Sequence, residues 1–164
     1  MITDIDGNIL SVNRAFTDIT GYAPGEALGA NPRLLRSGRH ELPFYKDMWV
    51  SLVGQGQWQG EIWNRRKNGE VFPNWEVISR VEDDHGQPSH YVAVFSDISA
   101  FKHSQEEMEF LAHHDPLTEL PNRILFRDRL RHALTRHQRE QGQLAVMFID
   151  LDRFKVINDT LGHH

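Results

Sequence analysis

Residues 58–81 read WQGEIWNRRKNGEVFPNWEVISRV, and this stretch decides the fold. Trp58 to Asn64 carries strand alternation, Lys67-Asn68-Gly69 makes a turn in which glycine tolerates positive φ, and Val71 to Val81 forms a longer strand. Asp83-Asp84-His85-Gly86 turns the chain again, and His90 to Ile98 supplies a third strand. Upstream, Ile2-Thr3-Asp4 and Ile9 to Val12 flank Asp6-Gly7 as a shorter hairpin. Between the hairpins the period is helical. Asn13 caps a short helix with Ala15, Phe16 and Ile19 as its apolar positions, and Gly21 closes it. Short helical pieces broken by Pro24, Gly25, Gly29 and Pro32 follow. A firmer helix then runs from Pro43 through Phe44, Met48, Trp49, Leu52 and Val53 and ends at Gly54. This order predicts an α+β domain, a five-stranded antiparallel sheet with helices on one face.

Strand parity sorts the side chains. Trp58, Gly60, Ile62 and Asn64 share one face with Phe72, Asn74, Glu76 and Ile78; Trp63, Trp75 and Val77 point the other way. An aromatic patch of that size is seldom left bare, so the second face is expected to be covered by a partner domain, the following helix or a preceding segment. Asn64 and Asn74 have two readings. Either they face a ligand, or Asn64 caps a strand end and Asn74 bonds to backbone over a core filled by Trp58 and Phe72.

Residues 99–114 favour a helix, with Phe101, Ser104, Met108 and Leu111 at coiled-coil positions. Packing of that stripe on the sheet and a dimer seam are equally compatible with it. Asn122 caps a further helix from Arg123 to about Gln141, and Leu144 to Ile149 is apolar on both faces, as a buried central strand requires. Asp150 and Asp152 follow it; alone, they would be solvated carboxylates. The arginines from Arg123 to Arg139 lie among acidic and apolar residues, which describes a solvated helix face. His113-His114 and His163-His164 point in different directions as adjacent pairs and are incidental.

The 164 residues carry a formal charge of -5, which gives no reason to expect a nucleic-acid partner. The absence of cysteine excludes disulfides, thiolate metal sites and cysteine nucleophiles. No apolar run approaches the ~20 residues of a membrane span, so a cytoplasmic setting is expected, with any anchor upstream.

The Asp4-x-x-Gly7 turn before Asn13-Arg14-Ala15-Phe16, then Thr20-Gly21-Tyr22, Asn64 to Glu70 and Phe95-Ser96-Asp97-Ile98-Ser99 resemble a PAS domain over residues 1–98, beginning part-way into the first strand. The spacing of Asn64 and Asn74 is similar to flavin-binding LOV domains, where two such amides meet the flavin's pyrimidine edge. That resemblance implies FAD or FMN in a cup lined by Asn31, Arg33, Trp58, Asn64, Phe72, Asn74 and Glu76. Pro32 stands where LOV domains carry the adduct-forming cysteine, and Phe95 stands in place of their signalling glutamine. Cysteine photochemistry is thereby excluded. For haem, His40 is the nearest candidate ligand.

His114-Asp115-Pro116-Leu117-Thr118-Glu119-Leu120-Pro121-Asn122-Arg123 and Phe148 to Asp159 resemble the opening of a GGDEF domain, the family that joins two GTP molecules into cyclic di-GMP. By that resemblance Asp150 binds Mg2+, Phe154 and Lys155 line the phosphate region, and Asn158 bonds guanine. The Gly-Gly-(Asp/Glu)-Glu-Phe motif is not in the sequence, so no catalytic set is complete and this chain is expected to be inactive. The resemblances imply a PAS sensor at 1–98, a signalling linker helix at 99–114 and an α/β GGDEF fragment at 115–164. They also imply homodimerisation through the outer sheet face and linker, and GTP as a partner of the whole protein only. The alternative is a ligand-free PAS dimerisation module.

Overall fold

In the computed structural model of the chain, residues 1–140, 143–150 and 152–153 are described. Met1–Glu107 and Met108–His164 form two compact units, divided within a helix rather than at its ends.

In the first unit, β1 (Ile2–Thr3) and β2 (Ile9–Ser11) meet across a turn held by Asp4. Its carboxylate accepts from the backbone N–H groups of Asp6 and Asn8 at 3.0 and 2.7 Å. Helix α1 (Arg14–Thr20) begins at Asn13, whose Oδ1 accepts from the Phe16 N–H at 3.0 Å, and it closes at Gly21 as expected. Pro24 and Pro32 open helical turns rather than break them. Each sits at the first helical position of α2 (Pro24–Ala27) or of the 3₁₀ turn Pro32–Leu35, where the missing N–H costs nothing. Helix α3 (Leu42–Gln55) runs past the stop expected at Gly54. Gly56 is the true cap, with φ 77° and its N–H on the Leu52 carbonyl. The Gly56 carbonyl in turn accepts from the Arg80 N–H at 2.8 Å, a bond that binds the helix end to the sheet.

Strands β3 (Gln57–Arg65), β4 (Val71–Glu82) and β5 (Pro88–Asp97) complete the expected antiparallel sheet of five strands, ordered β2-β1-β5-β4-β3. The register opposes Asn64 to Phe72, Ile62 to Asn74 and Gly60 to Glu76, so the even positions share one face. That face is the inner one: Ile62, Asn64, Phe72, Asn74 and Glu76 are all buried. Ile9, Phe16, Ala27 and Leu35 close the core beneath the short helices, and Phe95 meets Phe16 edge-on at 5.9 Å.

The junction out of the sheet is an ion pair. Arg66, just beyond β3, lays its guanidinium over the Phe72 ring at 3.9 Å and donates to the Ile19 carbonyl of α1 and to the Asp97 carboxylate. Asp97 also accepts from the Ser99 N–H at 2.8 Å, capping helix α4 (Ser99–His113). Burial raises the Asp97 carboxyl, but the bonds from Ser99 and Arg66 outweigh it and hold the group below the usual carboxylate range.

In the second unit, the Asp115 carboxylate gathers the N–H groups of Leu117 and Thr118 and the Thr118 hydroxyl into a tight loop. Asn122 caps α5 (Arg123–Glu140) by accepting from Ile124 and Leu125 at 2.9 and 3.1 Å. Residues 143–150 do not form the expected central strand. No described strand lies beside them, and Met147, Phe148 and Ile149 are exposed, since an apolar run cannot become a buried strand without ladder partners.

Asp97→Ala should lower unfolding free energy by about 2 kcal/mol in urea titrations at pH 7, because charge-assisted bonds to Arg66 and to the Ser99 N–H are lost, leaving Glu70 as the remaining carboxylate on Arg66. Since the folded-state pKa is depressed, the wild-type advantage is present at neutral pH and should shrink as pH falls below about 4.

Candidate functional site

Above the inner face the helices leave a cavity of about 570 Å³. Leu52 and Met48 of α3, Ile62 and Ile78 of the sheet, and Tyr91 and Ala93 of β5 supply apolar walls. Polar side chains also border this space. Asn64 is buried in its wall. The Tyr45 hydroxyl is buried and lacks a hydrogen-bond partner among the described residues. Arg33 and Arg36 stand at the exposed mouth, the latter stacked on the Tyr45 ring at 4.5 Å. Glu76, only 7% exposed, lies in the wall.

Burial pushes the Glu76 carboxyl up to about 7, against the opposing pull of the Met1 α-amino group. The hydrogen bond it accepts from the Asn74 amide is long, at 3.4 Å. An unpaired buried polar atom such as the Tyr45 hydroxyl costs on the order of 1–3 kcal/mol.

The expected lining set divides. Asn31, Arg33, Asn64 and Glu76 border the cavity; Trp58, Phe72 and Asn74 do not. Trp58 lies flat over Gly60, where an added Cβ would sit 2.8 Å from its ring, and it meets Phe44 edge-on at 6.0 Å. Phe72 is covered by Arg66, and Asn74 is fully buried, its Nδ2 on Glu76 and its Oδ1 unpaired. Parity predicted the face correctly, but a face is wider than a pocket, and position along the strand decides which side chains reach it. Asn31 is a brace: its amide donates to the Gly7 carbonyl at 3.1 Å and its Oδ1 accepts from the Arg33 N–H and Nε. His40 is no haem ligand in this cup. Its Nε2 accepts from the Trp63 N–H at 2.9 Å, its ring stacks on Phe44, and burial lowers its pKa. Tyr45 and Arg36 were missed because their register on a helix and beside a 3₁₀ turn carries no parity signal.

On the outer face, Trp75 and Val94 are 45% and 64% exposed, while Trp63 is covered by the Arg39 guanidinium at 3.8 Å. Lys102 of α4 pairs with Glu61 of β3 at 2.8 Å. The α4 stripe is not packed on the sheet: Phe101, Met108 and Leu111 are 67%, 68% and 47% exposed. Asp150 is exposed; Phe154, Lys155 and Asn158 lie outside the described residues. Among the described residues no cluster of metal-binding side chains forms, and no helix is long and apolar enough to cross a membrane.

The comparisons with known proteins follow this division. A PAS domain model matches residues 1–100, and a model of the diguanylate cyclase GGDEF domain matches residues 112–164. Diguanylate cyclase TpbB of Pseudomonas aeruginosa (strain UCBPP-PA14) is 62% identical over 52 residues, covering 32% of this chain and 12% of that protein. Cyclic di-GMP phosphodiesterase PdeR of Escherichia coli (strain K12) is 28% identical over 170 residues, covering 99% of this chain and 24% of that protein. A light-oxygen-voltage domain solved with a flavin analogue is 27% identical with a TM-score of 0.54, covering 65% of this chain and 85% of that one. The chain spans less than a quarter of the length of the curated relatives it matches. Its inner-face cup, five-stranded sheet and match over residues 1–100 make it a member of the PAS domain family, continued by a partial GGDEF sequence.

Proposed function

We propose that the chain is the sensing and transmitting portion of a cyclic di-GMP signalling protein. Residues 1–98 act as the receptor, 99–114 carry the signal, and 115–164 begin a diguanylate cyclase output domain. One observation carries this reading. The carboxylate that caps α4 is held by the arginine that bridges α1 and covers a core phenylalanine, so a shift in the cup wall reaches the helix N-terminus through two bonds. The relatives in cyclic di-GMP synthesis and breakdown support the output side.

The ligand class best supported is a flavin, FMN or FAD. A cavity of about 570 Å³ falls within the usual range for small-molecule sites. The buried Asn64 amide and the unpartnered Tyr45 hydroxyl suit the alternating carbonyl and N–H groups of an imide edge, and Arg33 and Arg36 suit a phosphate at the mouth. A bound flavin would supply a light-absorbing or redox-active group, and the cysteine-free sequence excludes a cysteinyl adduct to it. The residues of this chain orient that ring and exclude water from it.

The reading extends to assembly. Trp75 and Val94 on the outer face, with the exposed α4 stripe, form the surface on which two copies pair, and Mg2+ and GTP engage only a complete cyclase domain. Asp150 would then serve as a metal ligand, with Phe154, Lys155 and Asn158 around the nucleotide.

Two outcomes are expected. FMN added to the purified chain should bind with a structured, red-shifted absorption band, and Tyr45→Phe and Asn64→Ala should each weaken it about 5- to 10-fold, the loss of one hydrogen bond in a desolvated site; absence of binding, or variants that bind equally well, would refute the flavin assignment. The double variant Trp75→Arg with Phe101→Glu should sediment as a monomer where the parent chain sediments as a dimer.

A further inference from the structure

The wall of the cup contains a carboxylic acid with no cationic side chain paired to it. Glu76 is 7% exposed, opposite Gly60 on β3 and Phe95 on β5, with aliphatic Ile62, Ile78 and Leu52 around the same space. An ionised carboxylate there would forgo water without gaining a salt bridge, which costs several kcal/mol in general. The neutral acid avoids that cost and becomes a hydrogen-bond donor aimed into the cavity. The orientation of Asn74 fits the same picture from the other side. Its Nδ2 already faces Glu76 at 3.4 Å, so one carboxyl oxygen is occupied as an acceptor and the other remains for the cavity.

We propose that Glu76 binds the ligand in its protonated form by donating to a ring carbonyl oxygen, so that occupation of the cup takes up a proton. This rests on the flavin reading above and adds to it a selection rule. With Glu76 neutral, the Tyr45 hydroxyl, the Asn64 amide and Glu76 together present donors to a carbonyl-rich edge. With Glu76 ionised, its oxygens face the ligand's carbonyl oxygens and oppose binding. The cup therefore reads intracavity proton activity together with the ligand.

The other charged or titratable groups bordering the cavity are the Met1 α-amino group at β1, Asp6 in the first turn, Arg33 and Arg36 at the 3₁₀ turn, Tyr45 on α3 and Tyr91 on β5. No histidine borders it among the described residues. The Met1 α-amino group, lowered by burial, is the second group able to titrate near neutrality. The raised Glu76 carboxyl supports a neutral acid at and below neutral pH.

The test is the affinity of the 164-residue chain for riboflavin between pH 6 and 8.5, followed by fluorescence quenching; riboflavin lacks a phosphate, so its own charge stays constant across the window. Binding should weaken about tenfold between pH 6 and pH 8, as the competent fraction of Glu76 falls. Glu76→Gln, whose amide donates at every pH, should bind as the parent does at pH 6 and show no pH dependence. Glu76→Leu should fold and bind weakly at every pH, having no donor. A flat profile in the parent chain overturns the proton link while leaving the flavin reading in place. A slope that persists in Glu76→Gln assigns the titration to the Met1 α-amino group and overturns the proposal. No riboflavin or FMN binding at any pH overturns both.

Discussion

The Asp97 carboxylate ties the core of the first unit to the start of the helix that follows it. It serves two donors that belong to different structures: the Arg66 guanidinium, which lies over Phe72 and reaches the last turn of α1, and the first free N–H of α4. A helix begins with N–H groups that have no intrahelical acceptor, so α4 needs this carboxylate to start where it does. Arg66, with only 16% side-chain exposure, is compensated by it together with Glu70 and the Ile19 carbonyl. The pair is consequently a constraint shared by core and helix, and neither partner moves without the other.

Much of the fold was legible because its causes are local. Asn13, Gly21 and Asn122 announce helix ends through side-chain or backbone chemistry that acts within four residues, and strand alternation between Trp58 and Val81 sorted the side chains into two faces, of which the resemblance to flavin-binding domains picked out the buried one. The errors share a physical origin. Gly54 and Gly56 are equal as sequence signals, and only a tertiary bond from Arg80 to the Gly56 carbonyl separates them. Trp58, Phe72 and Asn74 lie on the correct face but beyond the cavity, because the helices above the sheet cover one part of that face and leave another open. Tyr45 and Arg36 enter the site through helix geometry that no two-residue period reports.

Among the described residues Glu76 is the one carboxylic or cationic side chain buried on the inner face. Its neighbours along the face, Ile62, Ile78 and Phe72, would be served better by another aliphatic residue, and the chain retains an acid there at a cost in stability. Departures of that kind belong at functional sites. The acid, the unpartnered Tyr45 hydroxyl and the Asn64 amide converge on one space, and this convergence is what distinguishes a receptor from a merely hollow core.

The central claim is that an event in the cup reaches α4 through Arg66 and Asp97. Amide hydrogen exchange over residues 99–102, with and without saturating FMN, in the parent chain and in Asp97→Asn, tests it directly. A ligand-dependent change in protection at the start of α4 that disappears in Asp97→Asn, with FMN still bound, is the predicted result. Saturation of the cup that leaves residues 99–102 unchanged in the parent, or an equal response in the variant, would contradict it.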